Sequence, residues 1–154
     1  MSDNIFQRFL KPSTKGKLWQ VFALILIVLT FICSCSGQKE TALDWSKKAE
    51  ALMDKDPVTA IQYLNEAIKL QPDYANAYNN RGVAYAKLNQ YQRAIEDFNE
   101  NIRLKPDSAA TYVNRGMAYI LMGNKNSGCL DVQKACNMGV CKGLDWAKGN
   151  GFCR

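Results

Sequence analysis

The chain has 154 residues, of which 47% are hydrophobic and 22% charged, and its formal net charge is +6. That length allows one modest domain beside a targeting segment. Residues 1–34 carry half of the positive excess, so the charge does not indicate a nucleic-acid-binding protein. The sequence contains no histidine, which excludes histidine-dependent catalytic triads and histidine metal ligands.

The N-terminal segment combines basic residues with a short apolar run. Residues 1–17 are polar and basic, and residues 18–32 are almost uninterruptedly apolar. As a helix, this run would be about 22 Å long, which is too short for a hydrocarbon core of about 30 Å. A basic segment followed by a short apolar run and then small residues is typical of a secretory signal peptide. We therefore interpret residues 1–34 as a signal peptide.

Residues 32–37 read Ile-Cys-Ser-Cys-Ser-Gly and resemble the lipobox of bacterial lipoproteins. Ile32 and Ser34 stand before Cys35 where a lipobox has a branched aliphatic and a small residue. The resemblance implies that Cys35 becomes the lipidated N-terminal residue, with residues 35–41 as a tether. It also implies a protein that is lipid-anchored in the cell envelope and faces the periplasm, with the outer membrane favoured over the inner. An uncleaved signal anchor is the alternative, and it would also place the rest of the chain outside the cytoplasm.

The clearest signal beyond the tether is an internal repeat with a period of about 34 residues. The sequence NRGVAY at 80–85 recurs as NRGMAY at 114–119. Within residues 75–108, aromatic and small side chains follow one another at the three- and four-residue spacings of two helix faces. Pro106 would end the second helix. The positions that carry this pattern are Tyr78, Gly82, Tyr85, Ala94 and Phe98.

This pattern resembles the tetratricopeptide repeat (TPR), a hairpin of two antiparallel helices. The resemblance implies an all-α fold, a right-handed α-α superhelical solenoid of about three hairpins. The repeats are expected at 42–74, 75–108 and 109–140, followed by a C-terminal cap with a short helix at 141–154. The first repeat is degenerate, since Trp45, Ala49 and Leu52 match it only if its turn is one residue shorter. A single hairpin cannot bury its own apolar face, so the hairpins must stack and the last one needs a cap.

Comparison of the repeats predicts two structural ion pairs. Arg81 and Arg115 occupy equivalent positions in the first helices of two repeats, and Asp97 and Asp131 occupy equivalent positions in the second helices. If each arginine paired with the preceding repeat, Arg81 would face Tyr63 and Asp131 would have no partner. Pairing within each repeat satisfies all four charges. We therefore predict the pairs Arg81–Asp97 and Arg115–Asp131.

The likeness to TPR proteins also implies a partner-binding groove, formed mainly by the first helix of each hairpin. The expected groove residues are Asn76, Asn79, Asn80, Val83, Lys87, Val113, Met117 and Ile120, with Ala110 and Leu121 beside them. The groove should run from amide-rich to apolar, although the apolar part could equally be core beneath the cap. Chaperone-binding TPR proteins hold a C-terminal carboxylate with lysine, asparagine and arginine side chains. Only Asn80 matches that clamp, so we do not expect this class of ligand.

Four cysteines lie close together near the C-terminus, at positions 129, 136, 141 and 153. Outside the cytoplasm an even set of cysteines indicates disulfides. Cys129 and Cys136 on one helix would be about 10.5 Å apart, beyond the limit of about 7 Å for bridged Cα atoms. A turn after Cys136 would bring it to Cys141 and leave Cys129 for Cys153, and we favour this nested pairing. A four-cysteine zinc site and a redox-active dithiol are the alternatives, although the spacing lacks the paired C-x-x-C pattern of structural zinc.

No nucleophile with a supporting acid or base stands out in the sequence. We therefore predict a non-enzymatic protein–protein interaction scaffold that binds a protein or peptide in the groove. The resemblance to TPR lipoproteins suggests a role in assembling an envelope complex. We expect no cofactor, no metal and no nucleic acid. The alternatives are a small enzyme or cell-wall-fragment binder built on the repeat, and a purely structural repeat that associates with itself.

Overall fold

The computed structural model describes residues 39–154. The predicted signal peptide, Cys35 and most of the predicted tether lie outside the described residues. Residues 39–154 form seven helices and no strand. The helices are α1 (Ala42–Leu52), α2 (Pro57–Leu70), α3 (Ala75–Lys87), α4 (Tyr91–Leu104), α5 (Ala109–Leu121), α6 (Lys125–Asn137) and α7 (Lys142–Gly149). None of these helices is both long and apolar enough to cross a membrane.

Helices α1 to α6 form three successive hairpins, α1–α2, α3–α4 and α5–α6. Each hairpin packs on the next through α2 against α3 and α4 against α5. The last helix, α7, packs on the final hairpin by contacting both α5 and α6. This arrangement is the all-α stack of hairpins that the internal repeat predicted, and its core is a row of small clusters between helices.

The helix ends follow from local sequence signals. Thr41 and Asp44 form a capping box at the start of α1, in which each side chain accepts the other's backbone N–H. The Asp56 side chain accepts the backbone N–H of Thr59 at the start of α2, which satisfies one of the free donors of a helix N-terminus. The turns inside the second and third hairpins place Asn89 (φ 58°) and Gly123 (φ 96°) in the left-handed region, which asparagine and glycine tolerate best.

Glycines allow the two helices of a hairpin to approach closely. A Cβ atom added to Gly82 on α3 would lie 2.6 Å from Cε1 of Phe98 on α4. The crossing of α5 and α6 is tighter, because a Cβ atom on Gly128 would lie 2.6 Å from the backbone oxygen of Gly116. The equivalent position in the second hairpin holds Ala94, which is fully buried. The third hairpin therefore requires two glycines where the second requires one.

We expect the Gly128→Ala variant to be destabilised by about 1–3 kcal/mol, because the α5 and α6 backbones must separate to admit the methyl group. In an unobstructed helix a change from glycine to alanine stabilises the protein by about 1 kcal/mol. A destabilising effect would therefore show that the α5 and α6 backbones approach closely at this position. The free energy of unfolding in urea measures it. Gly149→Ala is the control, since no atom lies within 4 Å of a Cβ at Gly149. A Gly128→Ala variant as stable as the parent would contradict the prediction.

Two disulfides tie α7 to the last hairpin. Cys129 on α6 is bonded to Cys153, with 5.6 Å between their Cα atoms. Cys136 is bonded to Cys141 across the turn that leads into α7. The structure thus joins the cysteines in the nested pattern, and within residues 39–154 no cluster of side chains suited to a metal ion comes together. Because α7 has only eight residues, it is too short to be stable as an isolated helix, and the bridges hold it in place.

Candidate peptide-binding groove

An arginine on α3 joins this helix, which forms one side of the predicted groove, to α4 and α2. The Arg81 guanidinium donates from Nε and Nη2 to the two carboxylate oxygens of Asp97 on α4, at 2.8 and 2.7 Å. Its Nη1 donates to Oδ1 of Asn65 on α2 at 2.7 Å. Hydrogen bonding to Asp97 raises the pKa of Arg81. One side chain therefore joins the two helices of its own hairpin to the hairpin before it.

The third hairpin repeats this arrangement. Arg115 donates to both oxygens of Asp131 at 2.7 Å and to Oδ1 of Asn99 at 2.7 Å. The asparagine contacts were absent from the sequence-based prediction, although Asn65 and Asn99 are themselves one repeat period apart, and that offset was the available signal. The first hairpin lacks the ion pair and instead packs the Trp45 and Tyr63 rings together, with their centroids 5.3 Å apart.

A cavity of about 230 Å³ opens between α3 and α5. We call it the groove pocket, and it is lined by Val83, Ala86, Lys87, Phe98, Asn114, Met117, Ala118 and Leu121. Phe98 and Ala118 are almost fully buried and form its base. Val83, Lys87 and Met117 were predicted for the groove, and Leu121 was placed beside it. Phe98 was predicted only as a packing residue, because it lies on a second helix.

Two polar side chains line the groove pocket. Nζ of Lys87 donates to Oδ1 of Asp54 in the α1–α2 turn at 2.8 Å, and this hydrogen bond lowers the pKa of Asp54. Nδ2 of Asn114 donates to Oδ1 of Asn79 at 3.1 Å. The groove pocket is therefore mainly apolar, with one cationic and one amide side chain among its lining residues.

The predicted amide-rich end lies along α3, before the groove pocket. Asn76 is exposed, and Asn80 donates to Oε1 of Glu50 on α1 at 2.9 Å. Asn79 accepts from Asn114, and its Oδ1 atom also lies 3.3 Å from Oγ1 of Thr111. Asn79 and Asn114 thus connect α3 to α5 at the surface of the groove.

Thr111 continues these hydrogen bonds into the interior. Its hydroxyl donates to Oδ1 of Asn101 at 2.6 Å, and Asn101 donates to the backbone oxygen of Ala75 at 2.7 Å. Thr111 and Asn101 are both almost fully buried, and satisfied buried polar groups of this kind fix the geometry around them. The sequence-based prediction did not include either residue.

Two of the residues predicted to line the groove, Val113 and Ile120, lie outside it, so this part of the prediction is wrong. Ile120 is only 3% exposed and packs in the cluster with Val132 and Leu144. Val113 faces α7 so closely that a Cβ atom added to Gly143 would lie 2.9 Å from its Cγ1 atom. The cap covers the side of α5 on which a further hairpin would pack, so Val113 and Ile120 belong to the cap interface. Val113 and Ile120 therefore match the alternative interpretation of the apolar part of the groove, which was core packing beneath the cap.

Comparison with known proteins agrees with this architecture. Residues 75–108 match the family model described as tetratricopeptide repeat, and residues 59–89 match a second model described as TPR repeat. Residues 59–108 therefore carry tetratricopeptide repeats. Such domains are protein–protein interaction modules. No curated protein matches the chain.

Solved structures similar to this chain include several TPR domains. The crystal structure of MamA is 28% identical with a TM-score of 0.61, and the match covers 64% of this chain and 58% of MamA. The Arabidopsis OM64 TPR domain has a TM-score of 0.68 at 23% identity, covering 71% of this chain and 93% of that domain. The second TPR domain of Spaghetti (RPAP3), bound to the HSP90 peptide SRMEEVD, has a TM-score of 0.62 at 21% identity, covering 64% and 93%. These likenesses confirm the predicted all-α helical-repeat fold.

Proposed function

We propose that this chain is a non-enzymatic adaptor of the bacterial envelope that holds a segment of a partner protein in the groove between α3 and α5. The groove pocket carries this proposal. Protein ligand sites are typically concave and mainly apolar, with a few polar groups that orient the ligand. The groove pocket has that composition and lies between the first helices of two tetratricopeptide repeats. By binding this partner, the chain would assist the assembly of an envelope complex.

The envelope location has two supports. The first is the lipobox-like sequence that ends at Cys35. The second is the pair of disulfides in the cap, because disulfides persist in oxidising compartments outside the cytoplasm. Metabolic labelling of cells with a palmitate analogue tests the anchor. Label should be lost from Cys35→Ala and kept by Cys33→Ala, and label that remains on Cys35→Ala would contradict lipidation at this residue.

The groove itself is tested by crosslinking in living cells. We expect Met117→Glu to abolish the crosslink to the partner, because an apolar ligand group in the groove pocket would strip the new carboxylate of water without pairing its charge. Leu130→Glu is the matched control, since Leu130 is an apolar residue on α6 that is 73% exposed and does not line the groove pocket. Mass spectrometry of the crosslinked species measures the outcome. If both variants and the parent give only self-crosslinks, the chain is a self-associating repeat and the adaptor proposal is wrong.

A further inference from the structure

We propose that the N-terminal end of the hairpin stack docks on the surface of the bilayer in which Cys35 is anchored. The docking surface consists of Trp45, Lys48 and Leu52 on α1 and Tyr63 on α2, and we call these four residues the end face. This inference rests on the lipid anchor of the proposed function and adds how the folded part of the chain meets the membrane. It has three supports: a helix side that no described helix covers, the aromatic residues on that side, and the short tether to Cys35.

The first helix of a later hairpin is covered by the hairpin before it. Arg81 on α3 donates to Asn65 on α2. Ile61, also on α2, packs against the cluster that contains Tyr85 of α3. In the same way α5 packs on α4. The positions of Arg81 and Tyr85 therefore mark the side of a first helix that a preceding hairpin protects from water.

The equivalent side of α1 has no such cover. Once the shorter first turn is allowed for, Lys48 and Leu52 occupy the positions of Arg81 and Tyr85. Among the described residues no helix precedes α1. A stack of repeats needs a cap at each end to keep its apolar faces from water. Helix α7 caps the C-terminal end, and a bilayer surface would cap the N-terminal end.

The end face is aromatic where the other two hairpins carry an ion pair. Tyr63 occupies the position of Asp97 and Asp131, and its ring centroid lies 5.3 Å from that of Trp45. Both rings are only partly buried against the first core cluster. Tryptophan and tyrosine concentrate at membrane–water interfaces, because a large apolar ring with a polar tip suits the headgroup region. The chemistry of this pair therefore fits a bilayer surface.

The charges of the first hairpin show what kind of contact this is. Lys48 pairs with Glu40, and its Nζ atom lies 4.6 Å from the centroid of the Trp45 ring. Residues 39–73 contain five lysines and seven aspartates or glutamates, so this hairpin has no basic surplus to attract anionic lipids. Docking therefore depends on the rings entering the interface, and it should be equally strong on neutral and anionic bilayers.

The tether allows a small contact to be sufficient. Six residues separate Cys35 from Ala42, and a fully extended chain of that length spans only about 20 Å. An acylated Cys35 would hold the start of α1 within that distance of the bilayer. Two sites joined by a short linker meet at a high effective concentration. A few side chains that would not hold a free protein on a membrane can therefore dock an anchored one.

Two tryptophans at opposite ends of the stack test this inference. Trp45 belongs to the end face, and Trp146 lies on α7 in the cap. Two single-tryptophan forms of the full chain both carry Trp19→Phe, together with either Trp146→Phe or Trp45→Phe. Each is purified from cell membranes and reconstituted into phosphatidylcholine vesicles whose acyl chains are brominated. We expect bromine to reduce the Trp45 emission by about twofold, since an interfacial ring reaches the headgroup–acyl boundary, and to leave the Trp146 emission unchanged. Adding phosphatidylglycerol should change neither value.

A double variant separates docking from a folding defect. Lys48→Arg with Tyr63→Asp gives the end face the arginine and aspartate that the other two hairpins have. It should restore the Trp45 emission while circular dichroism shows an unchanged helix content. Equal quenching of Trp45 and Trp146, or quenching of Trp45 that the double variant keeps, would overturn the inference.

Flotation of the same vesicles in a sucrose gradient distinguishes this inference from the proposed anchor. If the chain floats with the vesicles and Trp45 is not quenched, the docking of the end face is wrong and the proposed function stands. If the chain does not float, the anchor and the docking are both wrong.

Discussion

The Asp97→Ala variant is expected to lose about 3–5 kcal/mol of unfolding free energy, the range for breaking one side of a buried ion pair. The Asp97 side chain is 8% exposed and the Arg81 side chain 20%. Removing the carboxylate leaves the guanidinium largely shielded from water, with Asn65 as its one hydrogen-bond partner among the described residues and the Tyr78 ring 5.5 Å away. Because the arginine keeps some access to solvent, we expect a loss toward the lower end of the range. Urea denaturation followed by circular dichroism measures it.

A double-mutant cycle distinguishes this interaction from a general packing defect. Arg81→Met and Asp97→Ala should show a coupling energy of about 1–3 kcal/mol, since they remove the same bidentate contact. Asn65→Ala is the matched control, because it removes one uncharged partner of Arg81 and leaves the ion pair in place. Its loss should be about 1 kcal/mol. Additive effects of Arg81→Met and Asp97→Ala would show that the two side chains do not stabilise each other.

The second large effect concerns the cap. Replacing Cys129 and Cys153 together with serine should remove about 3 kcal/mol of stability on the chain-entropy estimate, because this disulfide closes a loop with a sequence separation of 24. The loss should be local at first, since α7 has little core of its own beyond Leu144 and Ala147. Hydrogen exchange should show that the α7 amides lose protection while those of α3 and α4 keep it.

The smaller disulfide provides the comparison. Cys136 and Cys141 are separated by only five positions, so replacing both should remove about 2 kcal/mol on the same estimate. Intact mass before and after reduction checks the bridges themselves, since each bond adds two hydrogens when it is reduced. An unchanged mass, or equal α7 protection in the parent and the Cys129/Cys153 double variant, would contradict the proposed role of the bridges.

The repeat period predicted the hairpins because the residues that determine how the helices pack recur at the same spacing. Gly82 and Gly116 allow the helices to approach, and Arg81 and Arg115 each reach an aspartate 16 residues later. Asn65 recurs at the same repeat offset, yet an amide on an outer helix face looks like an ordinary solvated residue. Its role became visible only when the neighbouring hairpin was in place.

The groove was harder to predict because periodicity shows which helix face is apolar and not what covers that face. Ile120 and Leu121 are adjacent and both aliphatic, but successive helical residues point about 100° apart. Leu121 therefore lines the groove pocket, whereas Ile120 lies beneath α7. Which of these two residues is covered depends on where the eight-residue helix α7 packs and how its two disulfides hold it. That is a tertiary contact, and the local spacing of apolar residues does not encode it.

The arginine contacts also determine what happens at a boundary between hairpins. Each arginine–aspartate pair, such as Arg81 with Asp97, lies inside one hairpin, and the arginine's bond to the preceding hairpin reaches the neutral amide of Asn65. Cutting the stack between hairpins therefore separates neither of these cations from its anion. A duplication or deletion of one whole repeat unit would break one such arginine–asparagine hydrogen bond at the junction. Each arginine would keep the aspartate of its own hairpin. Arrays of different length could arise from this design without separating a largely buried arginine from its aspartate.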